Sequence, residues 1–207
     1  MTKLIFLSAV LATGRAIARD PTQPTQHMVT ICLTTDRSPA SLRQPVVERA
    51  TTIADQILAG AGVRLSWRGN LAPCLREAVK AVQVDLSWDS PPSELPGVLG
   101  YAQPFGDAYV RVFFDRIQRS VSAEKEPYKL GHVLAHEITH VLEGTNFHAV
   151  SGVMKAVWDF GECRRMTVHP FMFTATDILL IRHGLEDRAV FRPAHQHAPP
   201  VLIPAVQ

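Results

Sequence analysis

The chain has 207 residues, of which 46% are hydrophobic and 19% are charged. This composition is ordinary for a globular protein and excludes an intrinsically disordered chain. The length suits one domain with a sizeable core. The formal net charge is +2 with nine histidines counted as neutral, and the basic residues are scattered along the sequence. We therefore expect no nucleic-acid partner.

The first 18 residues have the pattern of a signal peptide. Lys3 precedes an apolar stretch over 4–12 that is too short to cross a bilayer. The small-residue pattern Ala16-Ile17-Ala18 is typical of a cleavage site. We expect residues 1–18 to be removed on export to the periplasm or the medium, and we expect no membrane association afterwards. The alternative is a buried N-terminal strand or helix.

Apolar periodicity predicts the elements of one domain over 28–191. Residues 19–27 are polar and contain proline, which predicts a flexible lead-in. Apolar residues that alternate predict strands, and apolar residues spaced three or four apart predict helices. The predicted strands are 28–33, 63–67, 79–86 and 108–114, and the predicted helices are 45–61, 129–143 and 175–188.

Proline and glycine mark the segments between and after these elements. Residues 90–106 contain four prolines and three glycines, which predicts a long loop. The tail over 192–207 is proline-rich. The resulting order favours a single α+β domain with a small mixed sheet, a backing helix, a separate active-site helix and a C-terminal helix.

The three cysteines are Cys32, Cys74 and Cys163. In an oxidising compartment one pair can form a disulfide, and three pairings are possible. We favour Cys32 with Cys74, because both lie in the N-terminal half and flank the first predicted strand–helix–strand unit. Three reduced, buried thiols are the alternative.

The predicted helix over 129–143 carries the residues with the clearest chemistry. His136 and His140 are four residues apart, so they lie on one helical face. They can therefore offer two imidazole nitrogens to one tetrahedral zinc ion. Glu137 follows His136 and can accept a proton from water at the metal without being a ligand. The H-E-x-x-H pattern thus predicts a catalytic Zn²⁺ site with Glu137 as general base.

A hydrolytic zinc site has three protein ligands and one open position. His148, eight residues after His140, is the first candidate for the third ligand, because Gly144 ends the helix and allows the chain to turn back. Three acidic residues are alternatives, one at the helix end and two further along the chain: Glu143, Asp159 and Glu162. The role of His132, one turn before His136, is left open.

This region resembles the metzincin clan of zinc peptidases, whose pattern is H-E-x-x-H-x-x-G-x-x-H followed by a methionine turn. Here the tetrapeptide Ser-Gly-Val-Met at 151–154 follows the histidines. The resemblance implies zinc ligands, a general base and a turn methionine, which would be His136, His140 and His148, then Glu137, then Met154. It also implies a zincin-like fold and peptide-bond hydrolysis.

The spacing departs from the metzincin pattern. Gly144 follows His140 by four residues rather than three, and His148 follows it by eight rather than six. The same longer spacing, H-E-x-x-H-x7-H with a later G-[IV]-M, is similar to that of a group of exported bacterial proteins. The longer spacing affects the identity of the third zinc ligand more than the expectation that zinc is bound.

We therefore expect an exported zinc metallopeptidase that acts on a peptide or protein substrate. Two alternatives share the metal site: a non-catalytic binding module with structural zinc, and a zinc amidohydrolase that acts on non-protein amides. An intact Glu137 argues against the first alternative, since a structural zinc site needs no general base. The sequence leaves the oligomeric state open.

Overall fold

The computed structural model describes residues 26–35, 40–78, 80–91, 96–104 and 108–190. The predicted signal peptide over 1–18, most of the lead-in over 19–27 and the tail over 192–207 lie outside the described residues. Val79, the first residue of the third predicted strand, lies outside them too.

Five strands form one mixed sheet. They are β1 (His27–Thr35), β2 (Val63–Arg68), β3 (Val82–Ser87), β4 (Gly100–Gln103) and β5 (Tyr109–Phe113). Their order across the sheet is β2-β1-β3-β5-β4. Neighbouring strands are parallel except β4, which pairs antiparallel with β5. Apolar residues from all five strands contribute to the main core, as the alternation of the predicted strands requires.

Six helices complete the described part of the chain. They are α1 (Ala40–Ala59), α2 (Leu71–Glu77), α3 (Phe114–Ser120), α4 (Glu126–Glu143), α5 (Phe160–Arg165) and α6 (Ala175–Val190), with a short 3₁₀ turn at Ala123–Lys125. No described helix is long and apolar enough to cross a membrane. The predicted α+β class is confirmed, with α1 as the backing helix, α4 as the helix of the H-E-x-x-H pattern and α6 as the C-terminal helix.

One strand and three short helices were not predicted. β4 lies within 90–106, where proline and glycine predicted a continuous loop, and that prediction is wrong at these four residues. Its strand geometry comes from pairing with β5, as in Gly100 with Val112 and Gln103 with Tyr109. Such pairing depends on tertiary contacts that a local sequence pattern does not contain. The helices α2, α3 and α5 have six or seven residues, too few to show a helical period.

The helix α4 runs through the centre of the domain. Every residue from Lys129 to Glu143 is buried. α1 packs closely on one side: a Cβ atom on Gly131 would lie 2.7 Å from the Cβ of Ile53 and 2.8 Å from the carbonyl oxygen of Ala50. α6 packs on the other side, where Gly184 lies against the carbonyl oxygen of Leu142. The polar residues of α4 are therefore held inside a rigid core.

The predicted pairing of Cys32 with Cys74 is confirmed. The disulfide joins β1 to α2 across a sequence separation of 42, with a Cα–Cα distance of 5.8 Å. Both cysteines are buried with Ala81 in a small apolar cluster beside the main core. Cys163 is a free, partly exposed thiol.

The close approach of α1 and α4 predicts the effect of a single methyl group. Gly131→Ala places that methyl in contact with α1, and overpacking of this kind costs about 1–3 kcal/mol. The better helix propensity of alanine offsets roughly 0.5–1 kcal/mol, so we expect a net fall in the free energy of unfolding, measured by urea denaturation. Gly69→Ala is the matched control, because nothing lies within 4 Å of its Cβ position. Equal stability of the two variants would contradict the packing described here.

Candidate metal centre

The α4 helix presents His136 and His140 on one buried face, one turn apart. Neither side chain is exposed to solvent. The helix ends at Gly144, whose φ of 63° is the left-handed conformation that glycine adopts most easily. The N–H of Gly144 donates to the carbonyl oxygen of His140 at 3.0 Å, and the chain then reverses.

The reversal brings His148 to the two helical histidines. Nε2 of His140 lies 3.0 Å from Nε2 of His136 and 3.3 Å from Nε2 of His148. One ligand atom from each of the three residues lies within 4.8 Å of the others. The three predicted histidines therefore form one cluster, and the loop after Gly144 accommodates the longer spacing.

Backbone carbonyl groups fix the orientation of two of these rings. Nδ1 of His136 lies 2.8 Å from the carbonyl oxygen of Val153, and Nδ1 of His140 lies 3.1 Å from that of Thr145. A carbonyl only accepts, so each Nδ1 carries the proton and donates it. Each Nε2 is then left with a lone pair that points into the cluster.

Burial keeps these imidazoles neutral. Removal from water lowers the pKa of His136 well below its ordinary value, and proximity to His140 lowers it further. Burial lowers the pKa of His140 to about 4, with a smaller effect from His148, and burial also lowers the pKa of His148. Neutral imidazole is the form that binds a metal.

The cluster fits Zn²⁺. The lone pairs of His136 and His140 converge at 3.0 Å and repel one another unless a cation lies between them. Tetrahedral zinc with Zn–N bonds of 2.0–2.1 Å requires nitrogen atoms about 3.3 Å apart. Among the described residues, no fourth histidine, cysteine or carboxylate joins the group. The arrangement is that of an open site with three protein donors.

Glu137 is a fully buried residue beside this cluster. Neither of its carboxyl oxygens has a hydrogen-bond partner among the described residues. Its Oε1 lies 3.3 Å from the position that a Cβ atom on Gly100 of β4 would occupy. Burial raises the pKa of the Glu137 carboxyl well above its ordinary value. A divalent cation on the neighbouring imidazoles would favour the ionised form.

An unpaired buried carboxyl group is costly, and such groups mark positions where a ligand or a reacting water completes the hydrogen bonding. A Cβ atom on Gly100 would also lie 2.8 Å from the carbonyl oxygen of Arg111, so the glycine lets β4 lie close to both β5 and the Glu137 carboxyl group. The H-E-x-x-H pattern identified Glu137, but nothing in the local sequence around Gly100 indicated its position at the site.

The turn at 151–154 is connected to the cluster through its backbone. The carbonyl of Val153 accepts from His136, and the carbonyl of Met154 accepts from the N–H of Ala149 at 2.9 Å, next to His148. Gly152 has a φ of 79°, which favours glycine. The Met154 side chain is fully buried in the main core. The turn thus holds a helical histidine and the returning loop in one arrangement.

An aromatic wall flanks the cluster. The Trp158 ring lies edge-on to His136 with centroids 5.7 Å apart, and its Nε1 donates to the carbonyl oxygen of Gly152 at 3.2 Å. The sequence showed no periodicity that indicated this residue.

His132 has a structural role next to this wall. Its Nδ1 donates to the carbonyl oxygen of Tyr128 at 2.7 Å, and its Nε2 accepts the N–H of Phe171 at 3.0 Å. Burial lowers its pKa to about 4. Both ring nitrogens are therefore occupied in the neutral state, and His132 connects α4 to the segment that precedes α6.

The three acidic alternatives for a third ligand do not join the histidines. Asp159 and Glu162 form a capping box at the start of α5, with N–H···O distances of 2.7 and 2.8 Å. Glu162 also forms an ion pair with Lys155 at 2.7 Å. Glu143 is buried at the end of α4, where neither carboxyl oxygen has a hydrogen-bond partner among the described residues and the nearby Asp177 of α6 helps to raise its pKa.

Comparisons with known proteins place the fold. No protein-family model matches the chain, and no curated protein matches it. A crystal structure of archaemetzincin from Methanopyrus kandleri is similar over 79% of this chain and 98% of that one, with a TM-score of 0.52 and 16% identity. A zinc-dependent peptidase from Methanocorpusculum labreanum is similar over 73% of this chain and 99% of that one, with a TM-score of 0.49 and 13% identity. At these identities the likeness to archaemetzincin shows a common zincin-like fold.

The buried Glu143 carboxyl predicts a pH dependence of stability. Burial, and then the nearby Asp177, raise its pKa to about 8 in the folded protein. In the unfolded chain the Glu143 carboxyl group ionises near pH 4.5. The free energy of unfolding therefore falls as the pH rises from about 4.5 through about 8. Glu143→Gln removes this loss, and chemical denaturation should show a larger gain in stability over wild type at pH 8.5 than at pH 5. Glu186→Gln, on the exposed face of α6, is the control. The same gain at both pH values would show that ionisation is not responsible.

Proposed function

We propose that this protein is a zinc-dependent peptidase, with His136, His140 and His148 as the metal ligands and Glu137 as the general base. One observation carries the proposal. A fully buried carboxyl group with no partner among the described residues lies beside three clustered imidazoles, two of which have lone pairs that converge. This combination has little structural use, because each group is unfavourable there on its own. It has a chemical use when a metal ion and a water molecule complete it.

The proposed mechanism divides the chemistry between the metal and Glu137. When bound, zinc would act as a Lewis acid and lower the pKa of a coordinated water towards about 7. Glu137 accepts the proton of the attacking water and then delivers it to the amine that leaves. Burial raises the pKa of the Glu137 carboxyl above its ordinary value, and a raised pKa favours the uptake of the proton. The carbonyl groups of Val153 and Thr145 hold two of the ligand rings in one tautomer throughout.

The substrate proposed for this site is an extended peptide or protein segment. β4 is the last strand in the sheet order and, among the described residues, pairs with β5 alone, so its other edge can accept backbone hydrogen bonds. Gly100 lies at the start of this strand and also next to Glu137. A peptide added along β4 would therefore pass directly in front of the general base. The likeness of the fold to archaemetzincin agrees with this arrangement.

Export remains part of the proposal. The buried disulfide between Cys32 and Cys74 supports it, because such bonds persist in oxidising compartments and are rare in the cytosol. A non-catalytic module with structural zinc is less well supported, since closed zinc sites have four protein ligands and the described residues supply three.

Metal content and hydrolysis of a casein-type peptide test the roles of two residues separately. Zinc-loaded wild type should contain about one zinc per chain, as one tetrahedral site requires, and should cleave the peptide. Glu137→Gln should keep the zinc and lose activity by about 100-fold or more, because general base catalysis contributes that much. His148→Ala should lose both zinc affinity and activity.

Glu143→Gln is the matched control, since it changes another buried glutamate of the same helix that lies outside the histidine cluster. It should retain zinc and activity at pH 7. Wild-type activity in Glu137→Gln would remove the general base from the proposal. Unchanged zinc affinity in His148→Ala would remove the third ligand.

A further inference from the structure

A second feature lies beyond the metal cluster, at the beginning of α4. An open cavity of about 490 Å³ is lined by residues of α3, the 3₁₀ turn, the first turn of α4, α5 and the segment that leads into α5. Basic and aromatic side chains form much of its wall: Arg119, Lys125, Lys129, Arg164, Trp158 and Phe160. No acidic side chain lines it.

Lys129 is the unusual member of this wall. Its exposure is 6%, yet its ammonium forms no hydrogen bond or ion pair with any described residue. Arg164 likewise has no side-chain partner in the described part of the chain, whereas Arg119 forms an ion pair with Asp115 at 2.6 Å. The Lys129 ammonium is not among the side-chain nitrogen atoms that are closed off from solvent, so the buried stem presents an unpaired positive charge to the cavity. Lys129 and Arg164 therefore give the cavity wall a positive charge that no acidic side chain of the lining offsets.

The other walls suggest what kind of anion fits. Trp158 is buried and Phe160 is 83% exposed, so the cavity has one fixed and one solvent-facing aromatic side. Apolar surroundings strengthen the attraction between an ammonium and an anion that both leave water. They also favour a carboxylate on a short hydrocarbon stem over a fully hydrated inorganic anion.

The cavity is adjacent to the metal cluster. Trp158, which lines the cavity, packs edge-on against His136. Lys129 precedes His136 by seven residues, which places it on the same helical face about 10 Å further along the axis. An extended peptide covers that distance in about three residues. A substrate held at the histidines can thus reach Lys129.

We propose that this cavity binds a carboxylate group of the peptide substrate, with Lys129 and Arg164 as its counter-charges. The group is either an aspartate or glutamate side chain within about three residues of the cleaved bond, or the C-terminal carboxylate of a short peptide. As a statement about cleavage preference, this inference rests on the proposed peptidase function. As a statement about binding, it is independent of that function.

Paired peptides test the preference. Zinc-loaded wild type is given peptides that differ only by glutamate or glutamine at each position within three residues of the cleaved bond, each as a free acid and as a C-terminal amide. We expect kcat/KM to favour glutamate at one position, or the free acid, by about tenfold or more, the usual strength of a hydrogen bond to a charged group. The position of the preference distinguishes a side-chain carboxylate from a terminal one.

Two variants connect the preference to the cavity. Lys129→Met keeps the apolar stem and removes the charge, and Arg164→Met does the same at an exposed position where folding is not at risk. Each should lower the preference at least threefold while the glutamine peptide is cleaved as before. Arg165→Met is the matched control: it removes the next arginine of α5, which does not line the cavity, and should leave the preference unchanged.

Cys163 provides a measurement that needs no catalysis. It lines the cavity and is the one cysteine outside the disulfide. Zinc-loaded Glu137→Gln protein is alkylated with iodoacetamide in the presence of each peptide. The preferred carboxylate peptide should slow the alkylation of Cys163 at a peptide concentration about tenfold lower than the matched uncharged peptide requires. Lys129→Met in that background should abolish the difference.

The outcomes separate the two proposals. Suppose that wild type cleaves peptides, but that matched charged and uncharged peptides are cleaved equally fast and protect Cys163 equally. The cavity then does not bind a carboxylate. If no peptide is cleaved but the charged twin still protects Cys163 selectively, the cavity is correct and the peptidase proposal fails. A preference that survives both Lys129→Met and Arg164→Met would also overturn the assignment.

Discussion

The convergence of three imidazole nitrogens in the protein interior is the constraint on which the rest of the structure depends. The neutral rings of His136 and His140, whose lone pairs meet at 3.0 Å, are unstable together without a cation, and Nε2 of His148 lies 3.3 Å from that of His140. The fold nevertheless enforces this arrangement: α4 supplies two rings, and carbonyl groups on two separate loops fix their tautomers. The left-handed residue Gly144 returns the third ring. The unfavourable contacts between these imidazole nitrogen atoms therefore lie where a bound zinc ion would make them favourable.

The same constraint explains why α4 is so deeply buried. A metal site on a rigid element is more precisely positioned than one on a loop, and Gly131 and Gly184 let two other helices approach α4 closely. Burial also shields Glu137 from water and leaves Gly100 as its nearest neighbour on β4. One helix therefore carries three proposed elements of the site along its length: the carboxylate-binding Lys129 near its start, the general base Glu137 in its middle and the metal ligands towards its end.

The sequence predicted the parts of this site that a helical period or a short motif encodes. The four-residue spacing of His136 and His140 requires only that the segment be a helix, and the confirmed disulfide of Cys32 with Cys74 followed from their positions beside the first predicted unit. The contributions of Gly100 and Trp158 could not be predicted, because they depend on strand pairing and packing between residues distant in sequence. For the same reason the sequence did not predict β4, which lies in a segment whose prolines and glycines predicted a loop. The third histidine lies between these cases: a glycine helix end indicated a reversal of the chain, but only the folded loop brings His148 to the cluster.

X-ray absorption spectroscopy at the zinc edge of the zinc-loaded protein tests the central claim most directly, because it reports the donor atoms without relying on a substrate. Three imidazole nitrogens and one oxygen donor at about 2.0–2.1 Å are the expected first coordination shell. That result would agree with an open site built from His136, His140 and His148. A sulfur donor, a shell with only two imidazoles, or four protein donors would contradict it, and would mean that the histidine cluster is not the catalytic centre proposed for this fold.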